Sequence, residues 1–220
     1  AAAEKQAKQV IEADYYVPHQ SQAPMEPPVA TAHFKGESCE VWSSTQTPQA
    51  TKNTVAAALE ISPENVTVHV TLLGGGFGRK SKPDYAVEAA LLSKMSGGRP
   101  VQVVWTREDD LKHGFFHAVS YQYLKACLDD AGRCTAWNAR TSFSPIGSTF
   151  SAGAEYGGDG ELSLGFMDLP YEIPNINMEN GPAAAHLRIG WLRSVANIYH
   201  AFAHGSFASE LAAAAGRDEK

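Results

Sequence analysis

Four glycines fall within five residues at Gly74-Gly75-Gly76-Phe77-Gly78, and Arg79-Lys80 follow at once. The run lies between an alternating apolar segment, 66–73, and a helix-like one, 84–95. A strand-to-helix corner needs roughly one glycine for a positive φ, so the others call for a further reason. Backbone without Cβ atoms can bring several N–H groups against one ligand, which is how a protein holds a large anionic cofactor.

The elements around this loop alternate. Strands are expected at 10–17, 30–34, 39–44, 66–70 and 101–105, with a Pro-rich packed loop over 18–28 that carries Met25-Glu26-Pro27-Pro28. Pro48 suits the first turn of a helix over 47–60, and Gly97-Gly98 is a strong stop for the helix over 84–95. Strand, helix and strand over 39–70 leave a connection long enough for a crossover. Arg107-Glu108-Asp109-Asp110 reads as a solvated helical turn, and Asp129-Asp130-Ala131-Gly132 as the turn of a hairpin between 119–128 and 134–143. Residues 144–165 are irregular and 170–180 extended. An amphipathic helix over 197–215 carries apolar Ile198, Phe202, Phe207 and Leu211. The fold class expected is α+β, with mixed sheets flanked by helices in two lobes that meet near the glycine loop. The first lobe is assigned 1–143, and 144–220 leads into the second.

With 220 residues, 44% of them hydrophobic, the chain can bury a core. A net charge of −6, with no basic cluster interleaved with aromatics, argues against a nucleic-acid partner. No apolar run is long enough to span a membrane. The sequence opens Ala1-Ala2-Ala3-Glu4-Lys5, without an initiator Met or a signal peptide, so an excised piece is expected.

Several chemistries fit poorly. The run 74–81 comes within one residue of the phosphate loop GxxxxGK[ST], but Arg79 stands where its last glycine belongs and Pro83 removes an N–H soon after. The dinucleotide fingerprint GxGxxG fails at Arg79 and Ser81. His200 and His204, four apart on the last helix, have the spacing of a metal pair but no third ligand nearby; His113 and His117 share that spacing around Gly114. No protein metal ligand is assigned. Cys39, Cys127 and Cys134 have no CxxC spacing and read as small buried hydrophobes. No serine sits in a GxSxG elbow and no cysteine beside an activating histidine.

Taken together, Ser43-Ser44-Thr45-Gln46-Thr47-Pro48, the glycine loop with Arg79-Lys80, and Trp191-Leu192-Arg193-Ser194-Val195-Ala196-Asn197 resemble the molybdopterin-binding subunit of the xanthine dehydrogenase and aldehyde oxidase family. Order and spacing agree over most of the chain. Met25-Glu26-Pro27, the stretch PVQVVWTREDDLK over 100–112 and NIYHAFAHGSFASELA over 197–212 are most similar to the β subunit of isoquinoline 1-oxidoreductase and the aldehyde dehydrogenases related to it.

The resemblance implies a molybdopterin-binding fold and hydroxylation of an aldehyde or N-heteroaromatic ring. It also implies molybdopterin in its cytosine dinucleotide form and a small [2Fe-2S] partner subunit holding the only iron-sulfur clusters. Gln46 matches the glutamine whose amide faces an oxo ligand of the metal, where a neutral donor suits an oxygen gaining charge. Gly74, Gly75, Gly76, Phe77 and Gly78 match the loop that meets the cofactor, and Arg193 matches an arginine on its pterin side. Ala196 departs from a usual glycine. The family's catalytic glutamate and amino-terminal domain are not found in this sequence, so a fragment inactive by itself is expected, from a bacterial-type protein of the periplasm or cytoplasm. Two alternatives stay open: a noncatalytic binding or scaffold module of the same fold, and a nucleotide-binding protein like the phosphate-loop class.

Overall fold

The computed structural model describes residues 2–151 and 153–218. Its strands are β1 (Gln9–Val17), β2 (Val29–Phe34), β3 (Cys39–Ser43), β4 (Val66–Val70), β5 (Val101–Val104), β6 (Ser120–Leu128), β7 (Cys134–Phe143) and β8 (Ile176–Gly181). Its helices are α1 (Ala2–Gln6), α2 (Pro48–Leu59), α3 (Asp84–Met95), α4 (Arg107–His113), α5 (Asp159–Leu162) and α6 (Asn197–Ala214). The expected α+β class with mixed sheets is what forms: one sheet has the order β1-β6-β7-β8 and the other β4-β3-β2-β5.

Two compact units result, interleaved in sequence. One, the loop unit, comprises Ser21–Phe116 with Gly190–Arg193; the other, the hairpin unit, comprises Ala1–Gln20, His117–Ile189 and Ser194–Lys220. The two units do not follow one another along the chain. The reason is long-range pairing: β1 joins β6 in register from Gln9↔Leu128 to Val17↔Ser120, so the start of the chain belongs with its second half.

In the loop unit β3 and β4 run parallel, joined through α2, while β2 pairs antiparallel with both β3 and β5. Helix α2 starts at Pro48, whose missing N–H costs nothing in a first turn, and ends on Glu60 in the left-handed region. On α3, Ala86, Ala89 and Ala90 form a buried stripe of small side chains at helical spacing. They pack with Ala30, Ala32, Val41, Val55, Leu59 and Val66 into one core. Gly97 and Gly98, both at positive φ, stop α3 as the sequence requires. Helix α4 carries a full capping box between Thr106 and Asp109. Asp110 departs from the expected solvated turn: it is buried, with Arg107 Nη1 at 2.9 Å and Arg79 Nε at 3.3 Å.

In the hairpin unit β6 pairs antiparallel with both β1 and β7, and β8 is added parallel to β7. Helix α6 buries Phe207 and Leu211 as expected, but Phe202 is 49% exposed and its place in the core goes to His200 and His204. The buried stripe runs 199, 200, 203, 204, 207 and 211, so Phe202 falls off it and lies edge-on to Tyr15 instead. His200 is buried because both ring nitrogens are satisfied: Nδ1–H donates to the Leu164 carbonyl at 3.1 Å, and Nε2 accepts the Thr141 hydroxyl at 3.0 Å. That pattern defines a neutral tautomer. His204 packs against the rings of Trp137 and Phe166. The pair is thus core, and among the described residues no group of three or more His, Cys, Asp or Glu could hold a metal. His113 ends α4 while His117 belongs to the other unit, so that spacing marks no shared helix. The three cysteines are free, with Cys39 and Cys127 buried. No described helix is long and apolar enough to cross a membrane.

Burial pushes both α6 histidines down to about 4 from an ordinary 6.5, with Asp168 opposing the shift. The unfolded chain therefore binds protons from pH 6.5 downward, where the folded one does not. Stability should be flat above pH 7 and fall between about pH 6.5 and 4, by up to about 3 kcal/mol for each histidine. Thermal melts across that range check this, and His204→Phe should flatten the slope.

Candidate functional site

The parallel pairing of β3 with β4 ends at Ser43↔Val70. The segment carrying Gln46 and the glycine loop therefore leave the sheet at the same end, beyond the carboxyl ends of adjacent parallel strands. Ligands of open sheets with crossover helices bind at this end. Two hydrogen bonds hold the STQ segment there: Gln46 N–H donates to Lys80 O at 3.0 Å, and the Thr47 hydroxyl to Ser81 O at 3.1 Å.

Each glycine admits a protein neighbour. A Cβ on Gly74 would lie 2.5 Å from Glu26 Cβ, and one on Gly76 would lie 2.4 Å from Gln46 Oε1. On Gly78, at φ +100, it would lie 2.1 Å from the Trp191 carbonyl oxygen. Gly75, at φ +94, is crowded by the Phe77 ring at 3.2 Å. The absent side chains thus let the protein close on its own loop, a use of glycine that the run of residues alone does not distinguish from room for a ligand. Phe77 itself takes φ +51, and its ring is partly exposed.

The three sequence-predicted parts meet within the loop unit. Gln46 Oε1 accepts the Gly78 N–H at 3.0 Å, and the Phe77 carbonyl accepts the Arg193 N–H at 3.0 Å. Because a backbone N–H can only donate, the Gln46 amide has one possible orientation: its oxygen faces the loop and its Nε2 donor is left on the exposed side. The N–H groups of Gly75, Gly76 and Phe77 donate to no protein atom among the described residues. Such a set of donors fits an oxygen-rich anionic group, so the residues present suit a molybdopterin ligand. Arg193 presents an exposed side chain.

Arg79 and Lys80 do not reach outward. Arg79 is buried, with Nη1 and Nη2 each 2.9 Å from the Asp84 carboxylate and its guanidinium 5.0 Å from the Trp105 ring centre. Lys80 is fully buried and paired with Glu26. Neither can serve a phosphate, which removes the phosphate-loop alternative on geometry as well as motif.

Two residues of the Pro-rich loop join the site although their local sequence does not mark them as site residues. Gln22 Nε2 donates to the Trp191 carbonyl at 2.7 Å. Glu26 accepts from Ser44 Oγ at 2.9 Å, from the Gly74 N–H at 3.1 Å and from the Lys80 ammonium. Burial raises the Glu26 carboxyl, but these donors, Lys80 first, outweigh it and hold the group below its ordinary value. The sequence offers only the string Met25-Glu26-Pro27; 54 residues separate Glu26 from Lys80, beyond any local pattern. Ala196, in the hairpin unit, takes φ −67, where alanine is as comfortable as glycine. Its neighbours Ser194 and Val195 carry positive φ instead.

A family model described as molybdopterin cofactor-binding domain matches residues 1–220. The chain is 32% identical over 196 residues to the membrane-bound aldehyde dehydrogenase (pyrroloquinoline-quinone) of Gluconacetobacter polyoxogenes, covering 86% of this chain and 25% of that protein. It is 44% identical over 118 residues to the β subunit of isoquinoline 1-oxidoreductase of Brevundimonas diminuta, covering 52% of this chain and 15% of that one. Among solved structures, the aldehyde oxidoreductase from Desulfovibrio gigas shares the fold with a TM-score of 0.81 at 22% identity, over 99% of this chain and 24% of that one. Quinoline 2-oxidoreductase from Pseudomonas putida 86 does so at 0.79 and 22%, over 100% of this chain and 28% of that one. The chain spans about a quarter or less of the length of these curated relatives.

The glycines predict two different responses. Gly78→Ala sets a Cβ against backbone at positive φ, so it should destabilise the protein by about 2–4 kcal/mol. Gly76→Ala displaces only the exposed Gln46 side chain, so it should cost less than about 1 kcal/mol while breaking the Gln46–Gly78 bond. Denaturant unfolding of the two variants separates these outcomes.

Proposed function

The chain belongs to the molybdopterin cofactor-binding domain family, among the oxidoreductases related to xanthine dehydrogenase and aldehyde oxidase, and on that premise we propose a role for it. It contributes part of the molybdopterin pocket of a molybdenum hydroxylase that oxidises an aldehyde or an N-heteroaromatic ring, in the manner of isoquinoline 1-oxidoreductase. The 44% identity to that enzyme's β subunit supports the finer assignment. Relatives named as single subunits of larger enzymes, among them one of nicotinate dehydrogenase from Pseudomonas putida and the molybdenum-binding PaoC of an Escherichia coli aldehyde oxidoreductase, support a partner. We assign that partner as a small [2Fe-2S] protein that takes the electrons, and the cofactor as the cytosine dinucleotide form.

When bound, the cofactor supplies a two-electron oxidation in which oxygen from water is added to a substrate carbon. This chain's residues hold and polarise. Gln46 would donate its Nε2–H to an oxygen that gains negative charge, the N–H groups of Gly75 to Phe77, which donate to no protein atom among the described residues, would add further donors, and Arg193 would offer a cation to the pterin portion. The Phe77 ring stays partly exposed beside them. The observation that carries this assignment is the bond from Gly78 N–H to Gln46 Oε1, which turns the amide so that a donor faces outward.

In the native holoenzyme, Gln46→Ala should keep molybdenum content while turnover falls by about 10²-fold, the usual effect of losing one such donor. Unchanged turnover at full molybdenum content would favour the noncatalytic scaffold. Wild-type protein from a molybdopterin-making host that carries neither molybdenum nor pterin would overturn the family assignment of function.

A further inference from the structure

Beneath the glycine loop lies a buried charge that no part of the proposed chemistry uses. Lys80 has a fully buried side chain, and its ammonium meets Glu26 and also Ser44 Oγ at 3.2 Å. Glu26 in turn is bonded twice to one glycine: its carboxylate accepts the Gly74 N–H at 3.1 Å, and its own N–H donates to the Gly74 carbonyl at 3.0 Å. A Cβ at Gly74 would strike Glu26 at 2.5 Å. Three segments far apart in sequence, at 26, 44 and 74–80, therefore converge on one carboxylate. Gln46 is attached to the same assembly, since its N–H donates to the Lys80 carbonyl and its Oε1 accepts from Gly78.

A buried ion pair is a poor source of stability, because desolvating two charges offsets most of their attraction. What such a pair does supply is a defined position. We propose that Glu26, with Lys80, is the positioning element of this site: it sets where the glycine loop sits over the end of β4, and through the loop the Gln46 amide and the free N–H groups that face a ligand. The carboxylate acts through Gly74 at one end of the loop, and Lys80 acts through its own backbone carbonyl at the other. The proposal rests on the cofactor assignment above only for its second readout.

The test compares Glu26→Gln/Lys80→Met, which removes both charges together and so avoids a lone buried ion, with Gly74→Ala, which leaves the pair but forces Glu26 away. Each is expected to melt within a few degrees of wild type by circular dichroism. Amide exchange at Gly74 and Gly78, whose N–H groups are bonded to Glu26 and Gln46, should accelerate at least tenfold, and bound pterin, read by the fluorescence of its released oxidised form, should fall at least tenfold. Loop exchange that stays at the wild-type rate in either folded variant overturns the proposal. So does a loosened loop with wild-type pterin, since the pair would then be structural only. If one variant does not fold, the other decides. A wild-type protein without pterin would count against the cofactor assignment, whereas the exchange measurement judges the clasp independently of it.

Discussion

The parallel hydrogen-bond ladder between β3 and β4 is the constraint on which the site depends. Antiparallel neighbours would send their following loops to opposite ends of the sheet; parallel ones, joined through α2, send both to the same end. The register from Cys39↔Val66 to Ser43↔Val70 places Val41 and Val66 on the buried face. A slip of one residue would turn them to solvent, so burial of that core also holds the two loops level. Gln46 and Gly78, 32 residues apart, can meet only because of this pairing.

Above that ladder, the distribution of charge is inverted from what a basic loop suggests. The two cations of the loop are directed into the fold, Arg79 toward Asp84 and Asp110 and Lys80 toward Glu26. The loop itself is left with neutral backbone donors beside the Gln46 amide, and Arg193 is the exposed cation of the neighbouring segment. A neutral N–H or amide can stabilise an oxygen that gains charge without binding a free anion so tightly that the ground state is favoured equally. Glycines make the arrangement feasible, because three of the four would carry a Cβ into a neighbouring protein atom at 2.5 Å or less.

Much of this was legible in the sequence wherever the cause was local. Glycine pairs and Pro48 delimit α2 and α3, the alternation over 66–70 gives β4, and Asp129 to Gly132 turns the hairpin. Where the cause lay elsewhere in the chain, residue type misled. Phe202 has the character of core but faces outward, while His200 is buried because Thr141 and Leu164, from distant segments, satisfy its nitrogens. Asp110 has the pattern of a solvated acid, yet Arg79 is placed beside it. The unit division follows the same rule, since β1 pairs across more than a hundred residues with β6.

The sequence by itself determined the α+β class and most elements, because glycine runs, proline positions and apolar periodicity act over a few residues, whereas the grouping of Gln46, Gly74 to Gly78 and Arg193 rests on a family resemblance across separated motifs. Only the tertiary structure decided what the glycines make room for, which way Arg79 and Lys80 point, and that Glu26 and Gln22 belong beside the loop. Those outcomes depend on hydrogen bonds and ion pairs between segments brought together by strand pairing. Their energies exist only once both partners are in place, so no stretch of sequence read alone contains them.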